Sequence, residues 1–314
     1  MEQKLRGLLN NLYPVDIIKV ESVTNEMYLC KTEQGDYYAR VTNYKSEEEQ
    51  VEEVQYTNFL YEEGFGVAPT ISSFNGKAVE KITLDDDVLT VLYRSAPGVH
   101  LQRNEWNASV LKELGRQIGK LHRLSKKFEE MHPVTYIKDW HENEEYAFLD
   151  YVPKEETAIR WIAQDILSAI RKLPRNHIDF GLLHGDLCLE NALFDRESNV
   201  TMIDFQDCEK HYYIYDLAVP IYSALEYSFV GGGNIVEYGR DITKAILDGY
   251  QEENDLSEEM VDQLPLFLKL KEVFEYSLMH MYWDKEMLTE NQIRLMNNFR
   301  VRIERNHSLL NADC

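Results

Sequence analysis

The sequence predicts an α+β protein in two parts: a five-stranded antiparallel sheet with one helix through residue 94, then a mostly helical remainder. Three observations predict it. Short runs rich in Val, Ile, Tyr and Thr dominate residues 15–94. After Pro97-Gly98 the apolar residues recur at helical spacing instead. One compact strand-and-loop stretch, Leu182–Asp207, interrupts the helical part. A chain of 314 residues with 44% apolar content exceeds the usual single core. The expected division is therefore 1–94 and 95–314.

The elements follow in order. Val15–Val20, Met27–Thr32 and Tyr37–Thr42 read as strands, the last two joined by a turn at Glu33-Gln34-Gly35-Asp36. Ser46 and Glu49 form a capping box at the start of a helix that Gly64 ends. Ala78–Leu84 and Val88–Tyr93 are two further strands around Asp85-Asp86-Asp87. Beyond Pro97, Leu111, Leu114, Ile118 and Leu121 mark one face of a helix. Residues 135–172 and 235–305 also read as helical. Gly231-Gly232-Gly233 lacks the Lys-Ser/Thr of a P-loop and reads as a connection.

Composition excludes several classes. No window approaches eighteen consecutive apolar residues, so no membrane span is expected. Met1–Arg6 leads into charged sequence without an apolar signal core, which predicts a cytoplasmic protein. Cys30, Cys188, Cys208 and Cys314 form no CxxC pair, against a disulfide framework or structural zinc. A formal net charge of −22 disfavours nucleic-acid and anionic-lipid partners. It suits a cationic substrate, and equally a merely soluble surface.

Residues 184–204 hold the pattern that points to chemistry. Phosphoryl transfer needs a base at the attacking hydroxyl, hard oxygen ligands for Mg²⁺ and a cation on the nucleotide phosphates. Asp186 opens Asp-x-x-x-x-Asn, which closes at Asn191. Ala192-Leu193-Phe194, a polar turn at Asp195–Asn199, and Val200–Phe205 follow. A hairpin there would bring the Asn191 amide and the Asp204 carboxylate to one end, where they could share a hard cation.

His184-Gly185-Asp186-Leu187…Asn191 and Asp204-Phe205-Gln206 resemble the protein-kinase catalytic loop and D-F-G segment, with Gly185 in place of Arg. With Ile203-Asp204-Phe205-x-Asp207 they look like the aminoglycoside phosphotransferase and choline kinase superfamily. Leu114–His122, Ala96-Pro97-Gly98, Tyr215–Ala218 and Gly249-Tyr250 are similar to further landmarks of that family. The resemblance spans about residues 15–255. It implies a bilobal, protein-kinase-like fold, with ATP and Mg²⁺ as cofactors. It implies Asp186 as catalytic base, Asn191 and Asp204 as metal ligands, and His184 and Asp216 as braces of the loop. Arg40 stands where many relatives have the phosphate-binding lysine, with Glu53 as its helix partner and Glu52 as the rival. Ser22 and Thr24 would lie in the loop over the phosphates, which has no glycine. Leu92, Tyr93, Arg94 and Ser95 would be the hinge beside adenine, binding through the backbone. Asp207, Glu226, Tyr227, Tyr276 and Trp283 are the acceptor-site candidates. Tyr212, Tyr213, Tyr282, Glu275 and Asp284 lie in the same region, and aromatics with carboxylates suit an amine. For most of these aromatics, helical core is the competing assignment.

The resulting expectation is an ATP- and Mg²⁺-dependent phosphotransferase acting on a hydroxyl of a small, amine-containing, cationic acceptor. A Ser/Thr protein kinase of the same superfamily is the alternative. A non-catalytic nucleotide-binding module is another, motivated by the glycine-free loop. A metal-dependent phosphohydrolase would leave Arg40 and Glu53 without a task.

Overall fold

The computed structural model describes residues 1–226 and 235–306. Tyr227 and the 231–233 glycine run lie outside the described residues. The chain opens with α1 (Glu2–Leu12), β1 (Lys19–Ser22), β2 (Met27–Thr32), β3 (Gly35–Thr42), α2 (Glu47–Glu62), β4 (Val79–Thr83) and β5 (Asp87–Arg94). Then come α3 (Ala108–Met131), α4 (Phe148–Tyr151), α5 (Thr157–Arg171), β6 (Phe180–Leu183), β7 (Ala192–Phe194), β8 (Val200–Met202) and β9 (Glu209–Tyr212). Helices α6 (Ile214–Glu226), α7 (Ile235–Tyr250), α8 (Glu258–Val261), α9 (Leu264–Tyr282) and α10 (Glu290–Arg305) complete it.

Two compact units emerge, and neither is continuous in sequence. The first comprises Met1–Gln102, Lys127–Ile137 and Asn191–Cys208; the second comprises Arg103–Lys126, Lys138–Glu190 and Glu209 onward.

In the first unit a five-stranded antiparallel sheet runs β1-β2-β3-β5-β4. Its register sets Arg40 of β3 opposite Met27 on one side and Val91 on the other. One sheet face buries Val20, Tyr28, Cys30, Ala39, Val41 and Leu92 against Leu5 and Leu9 of α1. The capping box of Ser46 and Glu49 opens α2. The β7–β8 hairpin is present, pairing Ala192–Phe194 with Val200–Met202. It joins the unit through bridges Val67–Met202 and Val99–Phe194. A Cβ on Gly66 would stand 2.0 Å from the Val200 carbonyl oxygen, so only glycine permits this approach.

Two expectations are corrected. The first strand begins at Lys19, not Val15. Ile17 instead exchanges backbone hydrogen bonds with the Asn10 side chain (2.8 and 3.1 Å), and Arg6 donates to the Ile18 carbonyl at 2.9 Å, so α1 takes these groups before a sheet can. Residues 135–172 are not one helical stretch: single 3₁₀ turns at Trp140–Glu142 and Glu144–Tyr146 precede α4 and α5. Asp139 and Asn143 each sit at the start of one such turn, and closely spaced capping residues hold the chain to single turns.

In the second unit α3 carries Leu111, Leu114, Ile118 and Leu121 on its buried face. A Cβ on Gly115 would meet the Ile246 carbonyl oxygen at 2.0 Å, and one on Gly249 the Lys112 carbonyl oxygen at 1.9 Å. Backbone thus touches backbone where α3 crosses α7. That crossing brings His122 of α3 within 3.0 Å of the Tyr250 hydroxyl.

Candidate active site

The phosphate-side candidates belong to the first unit. Arg40 and Glu53 are 3% and 2% exposed and join through two parallel hydrogen bonds of 2.8 and 2.9 Å. Burial alone would favour a neutral guanidinium. The Glu53 carboxylate outweighs it, with Asp204 adding to the same effect, and holds Arg40 above its usual range. Arg40 therefore lies within the electrostatic field of both acids. Glu52 points elsewhere. Its carboxylate accepts the backbone N–H groups of Thr135, Tyr136 and Ile137 at 2.7, 2.7 and 2.5 Å. Adjacent helix positions lie about 100° apart, so these two glutamates cannot share a partner.

Asn191 ends a 3₁₀ turn and Asp204 begins another. Ile203 N–H donates to the Asn191 carbonyl at 3.0 Å, which draws the two residues together across the hairpin. Asp204 is exposed and left-handed, with φ 63° and ψ 64°, a conformation Asp and Asn tolerate better than other side chains. Asp207, half-buried, closes the same turn. An amide and a carboxylate oxygen are hard donors fitting Mg²⁺ or Ca²⁺. Among the described residues no three His, Cys, Asp or Glu side chains cluster to hold a metal. Two protein ligands leave most of a metal's shell to water and phosphate oxygens.

The segment expected over the phosphates is a tight β1–β2 turn. Val23 and Thr24 N–H both donate to the Met27 carbonyl, at 2.8 and 3.1 Å. Ser22 Oγ donates to the Thr24 carbonyl, and Thr24 Oγ1 accepts Met27 N–H, each at 3.0 Å. Both hydroxyls thus build the turn itself. Sequence reasoning missed Glu26, which accepts from Thr42 Oγ1 at 2.6 Å and from Gln206 Nε2 at 3.1 Å. It ties the turn to the segment after Asp204. At the hinge, the Leu92 carbonyl accepts Ile71 N–H at 2.7 Å. Arg94 N–H donates to Pro69 at 3.0 Å and Ser95 N–H to Asp36 at 3.1 Å. Tyr93 lies beneath Arg40, whose guanidinium carbon is 5.7 Å from the ring centre.

The loop bearing Asp186 belongs to the second unit. Asp216, fully buried, accepts His184 N–H at 2.8 Å and Gly185 N–H at 2.9 Å. His122 Nε2 reaches the same carboxylate at 3.0 Å, and Asn254 Nδ2 reaches Tyr250 at 2.6 Å behind it. His184 is fully buried, and its Nδ1 accepts Asp186 N–H at 3.3 Å. Gly185 has φ 89°, which explains glycine where the kinase motif has arginine.

Asp186 meets a residue that sequence reasoning did not identify. Lys271 of α9 is 5% exposed, and its Nζ lies 3.1 Å from Asp186 Oδ1 and 2.7 Å from Glu275 Oε1. The lysine outweighs burial and holds the Asp186 carboxyl below its usual range, with His184 and Cys188 assisting. Burial opposes the ammonium, but Glu275 and Asp186 prevail and hold Lys271 well above its usual range. The only sequence signal was a lysine on the apolar side of α9, four residues before a glutamate.

The acceptor candidates divide. Burial, then the nearby Glu275 charge, raises the Glu226 carboxyl, so Glu226 and Glu275 face one electrostatic neighbourhood. Tyr276 is 2% exposed with its hydroxyl 2.8 Å from Glu156, a core link from α9 rather than an open surface. Tyr212 and Tyr213 are likewise buried. Trp283 follows the end of α9, partly exposed.

A model of the phosphotransferase enzyme family matches residues 16–238. The amicoumacin kinase of Bacillus subtilis (strain 168) is 28% identical over 284 residues, 89% of this chain and 84% of that protein. An amicoumacin kinase solved with AMP-PNP, Ca²⁺ and Ami superposes with a TM-score of 0.90 at 25% identity, covering 99% and 96% of the two chains. A microcompartment-associated aminopropanol kinase shares the fold, with a TM-score of 0.75 at 19% identity over 96% and 95%. The match extends over the sheet, the Asp186 loop and the Asp204 hairpin alike, and on that ground the chain belongs to the phosphotransferase enzyme family and is an ATP-dependent phosphotransferase.

Proposed function

We propose that this protein transfers the γ-phosphoryl group of ATP to a hydroxyl of a small, amine-bearing acceptor. The observation that carries the reading is the electrostatic neighbourhood of Arg40, Glu53 and Asp204 within the first unit. A cation meant for phosphate and a carboxylate meant for a metal belong together in a nucleotide site, whereas a phosphohydrolase has no use for the buried pair. Residues 1–94 supply most of the nucleotide contacts in this reading, and 95–314 the base and the acceptor contacts. Arg40 orients the phosphates, and Glu53 holds its guanidinium plane fixed. Asn191 and Asp204 hold Mg²⁺, which when bound neutralises the phosphate oxygens. Asp186 orients the acceptor hydroxyl and takes its proton late, because the transition state is loose.

Glu226 and Glu275 support an ammonium on the acceptor, since a cation beside them relieves their mutual repulsion. The names of the related amicoumacin and aminopropanol kinases agree with such a class. Dependence on ATP supports a cytoplasmic site of action. The test is an ADP-release screen, with and without Mg²⁺, over amicoumacin, 1-amino-2-propanol, choline and their amine-free analogues. Phosphorylation of an amine-bearing alcohol, confirmed by ³¹P NMR and absent in Asp186→Asn, is the expected result. Equal turnover of the amine-free analogues would refute the acceptor class.

A further inference from the structure

Asp186 and Lys271 are 85 positions apart, yet their charged ends meet at 3.1 Å. The lysine side chain is 6% exposed, a costly place for an ammonium unless it is paired. It is paired with Asp186 on one side and Glu275 on the other at 2.7 Å, with the Phe274 ring 5.3 Å from Nζ. His184 and Cys188 act on Asp186 from its own loop, and Tyr215 of α6 acts on Lys271. Glu226 acts on Glu275 from the end of α6. Tyr222 of α6 also lies within the field of Glu275.

We infer that Lys271, anchored by Glu275, is a positioning residue that fixes the orientation and the charge of the Asp186 carboxylate. This rests on the reading of Asp186 as the base. Two mechanical points carry it. An ammonium on Oδ1 fixes the carboxylate plane, and so the direction from which a hydroxyl is received. Glu275 stands one helical turn from Lys271, so the ammonium is tethered at a defined depth. An ammonium beside the base also weakens it. That suits a reaction in which the proton leaves late, where position matters more than basicity. Asp216 braces the backbone of the loop through the His184 and Gly185 N–H groups, whereas Lys271 acts on the Asp186 carboxylate itself.

The test is a direct titration of Asp186 by ¹³C-carboxyl NMR of aspartate-labelled protein, the signal identified by its loss in Asp186→Asn. Lys271→Met keeps length and removes charge. It should raise the Asp186 midpoint by about one unit or more. Its Mg·ATP hydrolysis should fall by about 10²-fold with KM for ATP unchanged, the loss typical of a misplaced reacting group. Lys271→Arg should return most of both. Glu275→Gln should also raise the midpoint, by less than Lys271→Met, since it releases the tether that holds the ammonium on Asp186. A purely structural lysine would lower the melting temperature in these variants and leave every midpoint in place, and that outcome overturns the inference. Should Lys271→Met fail to fold, Glu275→Gln decides alone: a raised midpoint sustains the inference, an unchanged or lowered one ends it. Full phosphoryl transfer by Asp186→Asn would instead remove the base assignment, while the midpoints still report on Lys271.

Discussion

Arg40 and Glu53 form a buried, two-bond ion pair in which each side chain is the other's answer to burial. Neither charge belongs in the interior alone, because desolvating an ion costs more than one hydrogen bond returns. The pair links the central strand of the sheet to α2, and Asp204 lies within its field.

Breaking this pair should be expensive. Arg40→Met leaves Glu53 buried without its cation and should cost about 3–5 kcal/mol. The double variant Arg40→Met, Glu53→Met should recover much of that stability and none of the phosphoryl transfer. Urea unfolding of the three proteins, read beside the transfer rate, checks both halves.

Asp186→Asn should lower kcat by roughly 10²–10⁴ and leave the affinity for ATP nearly unchanged. Single-turnover transfer paired with nucleotide titration is the measurement. A loss confined to KM would move Asp186 out of the chemistry.

Asp204 separates backbone from side chain. Asn accepts the left-handed conformation as Asp does, so Asp204→Asn should melt like the parent and lose transfer. Asp204→Ala should also lose transfer, and in addition be destabilised by about 1 kcal/mol. Thermal melting of the two variants side by side distinguishes these contributions.

Asp216 accepts three donors on two oxygens: His184 N–H, Gly185 N–H and His122 Nε2. Asn at this position turns one acceptor into a donor facing a donor. Asp216→Asn should therefore cost about 1–3 kcal/mol for each bond left unmade. Transfer should fall with it, because the braced loop carries Asp186. A stable Asp216→Asn protein with full activity would contradict this bracing.

The buried histidines set a pH dependence. Desolvation lowers His122, and Asp216 opposes it only in part; His211 lies well below the usual value through burial, and His280 is lowered to about 4 by burial. The unfolded chain binds protons near 6.5 while these folded imidazoles stay neutral. The unfolded state therefore holds more protons below pH 6.5, and stability falls as pH falls from there toward the folded values. Melting temperature should decline between pH 6.5 and 4, before most carboxylates titrate. His211→Phe should flatten that slope.

The candidates in the 184–204 segment could be named from sequence because phosphoryl transfer demands particular residues at short range in the chain. Asn191 and Asp204 flank one hairpin, so their nearness in the fold follows from the short strands between them. Arg40 sits on a strand that its run of Tyr, Val and Thr made readable. Glu53 is the partner the sequence pointed to, whereas the role of its rival Glu52, which accepts the Thr135–Ile137 amides more than eighty positions away, left no local pattern. Lys271 was hidden more deeply: its meaning is the Asp186 carboxylate 85 positions away, and no local pattern records that. The 135–152 segment misled because its apolar residues serve single turns whose length is set by capping side chains.

The discontinuity of the first unit bears on how the chain is made. The unit lacks its β7–β8 hairpin until Cys208 has been synthesised, and the amides that satisfy Glu52 arrive only at Thr135–Ile137. On a ribosome the nascent sheet must wait for its hairpin while roughly a hundred more residues emerge at about 5–20 per second, and Glu52 stays hydrated for about the first third of that time. Nascent chains released after residue 102 should thus be chaperone clients and protease targets, and those carried past 208 should turn resistant in one step.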